Sequence, residues 1–538
     1  MSEENKGATE AANAPVPIYS WYALSVLVLV YVLNFIDRQI LSILANDIKA
    51  DLGVDDAYLG FLYGTAFAVF YSLFGIPLGK LADSWKRTRL LALGLAIWST
   101  MTALSGFAKN ATMLTVARVG VGVGEATASP SAYSLISDWF PARLRATALA
   151  IYSSGLYIGG GVSLLIGALI VENWNAAFPA GGPLGLKGWQ AAFLAVGIPG
   201  LLLAIWVLSL REPIRGAIDG LPTKQDPAPF KGFFAELLQV IPPFTLIGAA
   251  MRGPMAVAGN IIGLGCFVGV ALGLSQIIPA TANIVPGFAD GSWKISDQWL
   301  FLGLGYYAVF SWAMGLRRRD LPTFRLTWAS PAFLTVILGY GMVAFISYSI
   351  SYWAAPYGER MLGATKSELG LYLGAPGAVG GFLGVILGGA MADFLLKRRP
   401  DGRILVILFG LLTPIPVVYL TFTTTNVALF YVLAFTQSVL TSSALGAAAA
   451  TSQALVLPRM RGVATAIFFL ATTLVGLGIG PFMAGYVSKI SGDDLGIGVL
   501  STLVVVPVGV VMLLAAMKLV PRAIDGLLDR AREAGEQI

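Results

Sequence analysis

The chain has no histidine and a single cysteine, Cys266, in 538 residues. Without histidine there is no Ser-His-Asp triad, no histidine-ligated metal and no imidazole proton shuttle. One cysteine cannot close an internal disulfide. Charge is also scarce: Asp, Glu, Lys and Arg make up 12% of the residues, against about 25% in an ordinary soluble domain. Hydrophobic residues account for 57%, and the mean hydropathy is +0.77. That much apolar surface exceeds what a water-soluble protein of this size can hide. A disordered chain, a nucleic-acid binder and a disulfide scaffold fit poorly as well. The net charge of +6 needs no acidic partner, because basic residues collect on the cytoplasmic loops of membrane proteins. There is no Walker pattern, which argues against direct ATP drive.

What the sequence does have is apolar runs. A spanning helix needs about 20 mostly apolar residues, and two groups of six such runs are present. The first group covers 19–210, with spans beginning near 19, 57, 90, 111, 144 and 189; the second covers 329–521, with spans beginning near 331, 368, 404, 427, 463 and 495. Residues 1–18 read as a disordered polar tail without a secretory signal, and 522–538 as a cytoplasmic tail. Between the groups, 211–328 begins as a polar, Pro-rich linker and passes through an amphipathic stretch at 233–244, expected to lie on the membrane surface. Two more apolar runs, near 254–279 and 299–316, read as an inserted transmembrane hairpin. With both termini inside, most of the 35 Lys and Arg fall on the cytoplasmic side, including Lys86–Arg89, Arg317–Arg319 and Lys397–Arg399. The expected class is therefore an all-α, multi-pass protein of the inner (plasma) membrane, built as a six-plus-six repeat with an inserted hairpin.

The two halves also repeat in detail. Gly79-Lys-Leu-Ala-Asp83, followed by Lys86-Arg87, is matched by Gly389-Ala-Met-Ala-Asp393, followed by Lys397-Arg398-Arg399. Pro141-Ala-Arg-Leu-Arg145 is matched by Pro458-Arg-Met-Arg461 at the equivalent place. The Gly79…Asp83…Arg87 loop and Arg118-Val-Gly-Val-Gly122-Val-Gly124 in the fourth span resemble signatures of the major facilitator superfamily. There are departures: Ser84 and Lys86 stand where Arg and Gly are commoner, and the fifth-span run Gly155…Gly159-Gly160-Gly161 lacks its usual proline. Asn34-Phe-Ile-Asp37-Arg38 and Gly122-Val-Gly124-Glu125-Ala126 resemble the Spinster-like branch, whose eukaryotic members are similar to lysolipid and sphingosine-1-phosphate exporters. The resemblance implies two six-helix bundles in the major facilitator fold, and an inner-side lock joining Asp83 and Arg87 to Asp138. In this reading Gly79, Asp83, Arg87, Asp138, Arg145 and Asp393 are gate residues.

Charges inside spans cost roughly 2.5–3.5 kcal/mol each on insertion scales, and function is their default reading. Four lie deep in the first group: Asp37, Arg38, Arg118 and Glu125. At 1.5 Å per residue, Asp37 stands roughly 26 Å above an inner helix end near residue 20; Glu125 and Arg118 stand roughly 21 and 31 Å up the fourth span. The depths match, and the expected pairs are Arg38 with Glu125 and Asp37 with Arg118. A carboxylate that alternates between a paired and a desolvated state suits proton coupling. In the second group, Tyr340, Ser347, Tyr348, Ser351 and Tyr352 and, further on, Thr436, Gln437, Ser438, Thr441 and Ser442 place hydroxyls and amides on an apolar wall. Tyr63, Phe67, Phe70, Tyr152 and Tyr157 are candidates to line the same cavity. One charged side and one apolar side suit an amphipathic anion, bound by Arg38, Glu125, Tyr152, Tyr348, Gln437, Ser438 and Thr441. The function expected is a proton-coupled secondary transporter moving such a lipid-like anion by alternating access. It would work as a monomer, with the proton gradient in place of a cofactor, no metal, no nucleic acid and no enzymatic step. The alternatives are a proton-linked transporter of small organic anions or drugs, and a non-transporting sensor or scramblase.

Overall fold

In the computed structural model, residues 16–179, 181–219, 226–279 and 296–536 are described. Most of the expected N-terminal tail, part of the linker and the turn of the expected hairpin lie outside them. The described residues form helices and contain no strand.

The first group is α1 (Ile18–Leu52), α2 (Asp56–Ser84), α3 (Arg87–Ser105), α4 (Ala111–Glu125), α5 (Ala128–Trp139), α6 (Ala142–Ala177) and α7 (Gly188–Leu208). The intervening region holds α8 (Pro229–Val240), α9 (Phe244–Ala250), α10 (Pro254–Ile277), α11 (Asp297–Arg319) and the short α12 (Leu321–Leu326). The second group is α13 (Pro331–Leu362), α14 (Lys366–Leu396), α15 (Gly402–Thr421), α16 (Val427–Ala454), α17 (Pro458–Ile490) and α18 (Leu495–Asp525), followed by α19 (Leu527–Glu533). Twelve of the described helices are long and apolar enough to cross a membrane, α10 and α11 among them.

The expected fourth span is two helices rather than one. Pro130 carries no N–H for the Ala126 carbonyl one turn earlier, and the chain breaks between Glu125 and Ala128. The Thr127 hydroxyl caps the opening by donating to the Gly124 carbonyl at 2.9 Å. The break follows directly after Glu125. The amphipathic stretch is helical: α8 packs on the end of α2, where the Ser84 hydroxyl donates to the Pro229 carbonyl at 2.9 Å and Trp85 meets Phe230 at 5.4 Å. The chain then turns by 103° into α9.

Besides the contact of α1 with α13, the two groups meet along two seams, α2 against α17 and α6 against α14. Glycine permits both. A Cβ on Gly161 would stand 2.5 Å from the Gly374 carbonyl oxygen, and one on Gly60 would lie 2.7 Å from Phe482 Cα. Each seam coincides with a short π-helical stretch in the second group, Gly370–Gly374 in α14 and Thr472–Leu477 in α17. Such wide turns interrupt an otherwise regular helix and often mark functional places. The inserted α11 lies in the groove between α2 and α17. Its Phe301 packs on Phe61 and Phe70, and the Gln298 amide donates to the Gly478 carbonyl at 3.1 Å.

Candidate functional site

A cavity of about 310 Å³ lies between the two groups. The first group contributes Arg38, Gln39 and Tyr63, with Tyr157 and Gly161 from α6. The second contributes Tyr340, Ser347, Tyr348 and Ser351 from α13, and Gln437, Ser438, Thr441 and Ser442 from α16. Arg38 is the one charged side chain among its described lining residues. The remaining lining is aliphatic, aromatic, hydroxyl-bearing or, at Gln39 and Gln437, amide-bearing, so the site is asymmetric, with a cation on one wall and mostly apolar surface opposite.

Arg38 is fixed from behind. Its Nη2 donates to Glu125 Oε2 at 2.8 Å, and Glu125 is fully buried. Its guanidinium lies over the rings of Phe67 (4.3 Å), Phe35 (4.8 Å) and Tyr71 (5.3 Å). The planar guanidinium can stack and bond at once, which an ammonium cannot. Glu125 therefore stands behind Arg38 and does not line the cavity. Tyr152 also departs from expectation: it is fully buried away from the cavity, stacked on Tyr31 at 4.3 Å and edge-on to Tyr133. Phe67 backs Arg38, while Phe70 turns toward α11. Tyr352 stacks on Tyr63 behind the wall, and Thr436 donates to the Val432 carbonyl of its own helix.

The second expected pair does not form between side chains. Arg118 Nη1 donates to the backbone carbonyl of Asp37 at 3.0 Å. Asp37 is 1% exposed and its Oδ1 has no hydrogen-bond partner. Adjacent residues on a helix point about 100° apart, so once Arg38 faces Glu125 the carboxylate of Asp37 is turned away from α4. Arg118 reaches the main chain instead, which holds the two helices in register. The four deep charges thus form one cluster with a single direct ion pair.

The gate residues fall at the face where α1 begins and α18 ends, here called the near face. Arg87 is fully buried and pairs with Asp138 and, at 2.8 Å, with Glu212; its Nη1 also donates to Ser134 Oγ at 2.8 Å. It does not pair with Asp83. The spacing of four required a continuous helix, but α2 ends at Ser84 and α3 starts at Arg87, leaving Asp83 exposed. Arg145 donates to the Ser137 carbonyl at 2.8 Å. Gly79 faces Pro130, and Asp393 is exposed at the end of α14 with no ion pair to Lys397. In the second group the near-face cluster is built on Arg459, which bonds Asp320 at 2.8 Å and also pairs with Glu536.

At the opposite, far face the structure shows a network that motif spacing did not reveal. Asp56, fully buried at the start of α2, receives Arg360 of α13 at 2.8 Å, Lys49 of α1 at 3.0 Å and the hydroxyl of Ser488 of α17 at 2.8 Å. Lys366 of α14 bridges Asp47 (2.9 Å) and Glu359 (2.7 Å), and Lys489 of α17 meets Asp55 (2.7 Å). Below them, Gln39 and Ser42 donate to the carbonyls of Ser351 and Tyr352 at 2.7 and 2.5 Å. All of these except Lys49–Asp56 and Lys366–Glu359 tie one six-helix group to the other. The near-face pairs of Arg87, by contrast, stay within the first group and its linker. One signal was present in the sequence: in so charge-poor a chain, Asp55-Asp56 and Glu359-Arg360 both sit at span ends.

The pattern of the Major Facilitator Superfamily matches residues 27–358, more than half of the chain. Along nearly the whole length, the chain is 26% identical to an MFS-type efflux pump of Mycolicibacterium smegmatis, over 95% of this chain and 93% of that one. Over shorter stretches it is similar to Protein spinster of Drosophila melanogaster (28% identity; 37% of this chain, 31% of that one). It is likewise similar to a probable L-galactonate transporter of Escherichia coli (32%; 35% and 39%). Among solved structures, a bacterial homologue of the human lysosomal transporter Spinster, captured inward-facing and unoccupied, aligns over 96% of this chain and 99% of its own. The TM-score is 0.65 and the identity 25%. The chain belongs to the Major Facilitator Superfamily. It is a Spinster-like, multi-pass membrane transporter of that fold, and not an enzyme.

Proposed function

We propose that the protein is a proton-coupled secondary transporter of an amphipathic anion. It alternates access between the two faces of an inner membrane as a monomer, with both termini cytoplasmic. The bundles at 19–210 and 329–521 rock against one another, and 211–328 is an insert whose α10 and α11 span the bilayer. The observation that carries the reading is the placement of Arg38: the one cation among the described residues of the cavity wall, bonded behind to the buried Glu125. An anionic headgroup entering the cavity competes with Glu125 for that guanidinium. Once released, Glu125 is a buried carboxylate that has lost its one bonded cation, and taking up a proton neutralises it. Asp37, buried with an unpartnered oxygen, is the second proton carrier of the cluster. The opposite wall of Tyr340, Tyr348 and aliphatic side chains takes the apolar part of the substrate. The far-face network favours an inward-facing state, and the solved relative was captured inward-facing. No cofactor enters; the proton gradient supplies the drive.

A second reading, a small organic anion as cargo, draws on the L-galactonate relative and on the modest size of the cavity. Uptake into proteoliposomes under an imposed pH gradient separates the two. A lysophospholipid or long-chain anion should show saturable, gradient-dependent flux that is lost in Arg38→Ala. Flux of hexonates with none of amphipathic anions supports the second reading, and no gradient-dependent flux of either overturns both.

A further inference from the structure

Outside the transport pathway, a second cavity of about 770 Å³ opens at the near face, at the base of the inserted helices. Four arginines line it: Arg252 before α10, Arg317 and Arg318 at the end of α11, and Arg325 in α12. None of the four pairs with a carboxylate among the described residues, although Asp and Glu neighbours neutralise Arg319 and Arg459 close by. Their known partners are neutral. Arg252 Nε donates to the Gly248 carbonyl at 3.0 Å, Arg318 to the Arg252 carbonyl at 2.8 Å and Arg325 to the Glu533 carbonyl at 2.8 Å, while Arg317 lies over Phe324 at 5.9 Å. Arg252 Nη2 is buried with no hydrogen-bond partner. Burial first, and then the guanidiniums of Arg318 and Arg319, push the Arg252 group below its ordinary value. These cations repel one another, and no carboxylate among the described residues pairs with them.

Directly beyond this basic pocket rises the outer face of α10. Met255, Ile261, Ile262, Val270 and Ile277 are 55–83% exposed along it, and the helix packs on α11 through Ala256, Asn260, Gly263 and Ala271 on its other side. A guanidinium pocket at headgroup level, continuous with an uncovered apolar wall running toward the other face, fits one kind of molecule. We infer that the pocket of Arg252, Arg317, Arg318 and Arg325 binds the phosphate headgroup of an anionic phospholipid, whose acyl chains lie along α10. Arginine suits this role because its fork of donors matches phosphate oxygens, and basic pockets between helices at the cytoplasmic surface are a recurring lipid-headgroup device. Through α11, wedged between α2 and α17, the bound lipid would brace the seam between the two groups. The inference rests on the membrane insertion of the hairpin and not on what the central cavity carries.

The test uses the full-length protein purified in detergent, with thermal unfolding followed during titration with dioleoyl phosphatidylglycerol, dioleoyl phosphatidylcholine or inorganic phosphate. Phosphatidylglycerol should stabilise saturably. Arg252→Gln with Arg318→Gln should raise its half-saturating concentration by about tenfold or more. Lys518→Gln with Arg522→Gln removes two exposed cations at the same face and should leave that concentration unchanged. Equal loss in both double variants, equal stabilisation by phosphatidylcholine, or full stabilisation by free phosphate would each overturn the proposal. If the Arg252/Arg318 variant does not fold, photo-crosslinking of the native chain with a diazirine-bearing phosphatidylglycerol decides. Adducts within 252–277 or 314–329 support the site, and adducts confined elsewhere refute it.

Discussion

Arg38 and Glu125 form a buried ion pair whose partners have unequal neighbours. Arg38 keeps three aromatic rings if the pair opens, whereas Glu125 is left with the Asn34 side chain and the charge of Arg118 near it. Removing one member of a buried pair typically costs about 3–5 kcal/mol, because the other is left charged and dry. Glu125→Ala should therefore lower the unfolding temperature markedly, and Glu125→Gln, which still accepts from Arg38, by less; thermal unfolding of the two variants checks the order. Asp320 is a different case. Hydrogen bonds from Arg459 hold its carboxyl down to about 2. A depressed carboxyl stabilises the fold above its unfolded value near 4, and that stabilisation fades as the pH falls toward 2. The pair is partly exposed, so its worth is on the order of 1 kcal/mol after screening. The stability difference between the native chain and Asp320→Asn should be flat from pH 5 to 8 and shrink below about pH 4. A difference that changes between pH 6 and 8 would assign a transport-relevant titration to this clamp.

At the scale of elements, the seams α2–α17 and α6–α14 decide how closely the groups approach. A side chain at Gly161 would collide with the backbone of Gly374, and overpacking of this kind costs about 1–3 kcal/mol. Gly161→Val should splay the far end of the seam. In a Cys266→Ser background, Ser42→Cys, buried beneath the far-face network, should change from protected to reactive toward a membrane-impermeant maleimide when Val replaces Gly161. Unchanged labelling would show that the seam does not govern closure. Much at this scale could be read from the sequence. Spans, the two groups and the inserted pair follow from apolar length, and the pairing of Arg38 with Glu125 follows from matched depth. The break after Glu125 is not legible there, because Pro130 lies inside one long apolar run. Within the lock that the resemblance implies, Asp83 does not pair with Arg87, because Trp85 and Lys86 interrupt the helix between them. Arg87 instead reaches Glu212, which lies 125 residues away and carries no local motif.

At the scale of the molecule, the far-face network is the counterpart of the cavity cluster. It joins α1 and α2 to α13, α14 and α17, contacts between residues some 300 or more positions apart, which no single sequence pattern exposes. Losing a charge-assisted contact of ~1.4 kcal/mol shifts a two-state balance about tenfold. Arg360→Ala should therefore populate the far-open state, read as faster maleimide labelling of Ser42→Cys. Slower or unchanged labelling would remove Arg360 from the gate. In the proposed function, an anion takes Arg38 from Glu125 and Glu125 answers by taking a proton. Calorimetric binding of an amphipathic anion in buffers of differing ionisation enthalpy measures this directly. Uptake of about one proton per anion bound is expected for the native chain and none for Glu125→Gln. Binding without proton uptake in the native chain, or uptake that persists in Glu125→Gln, would contradict it.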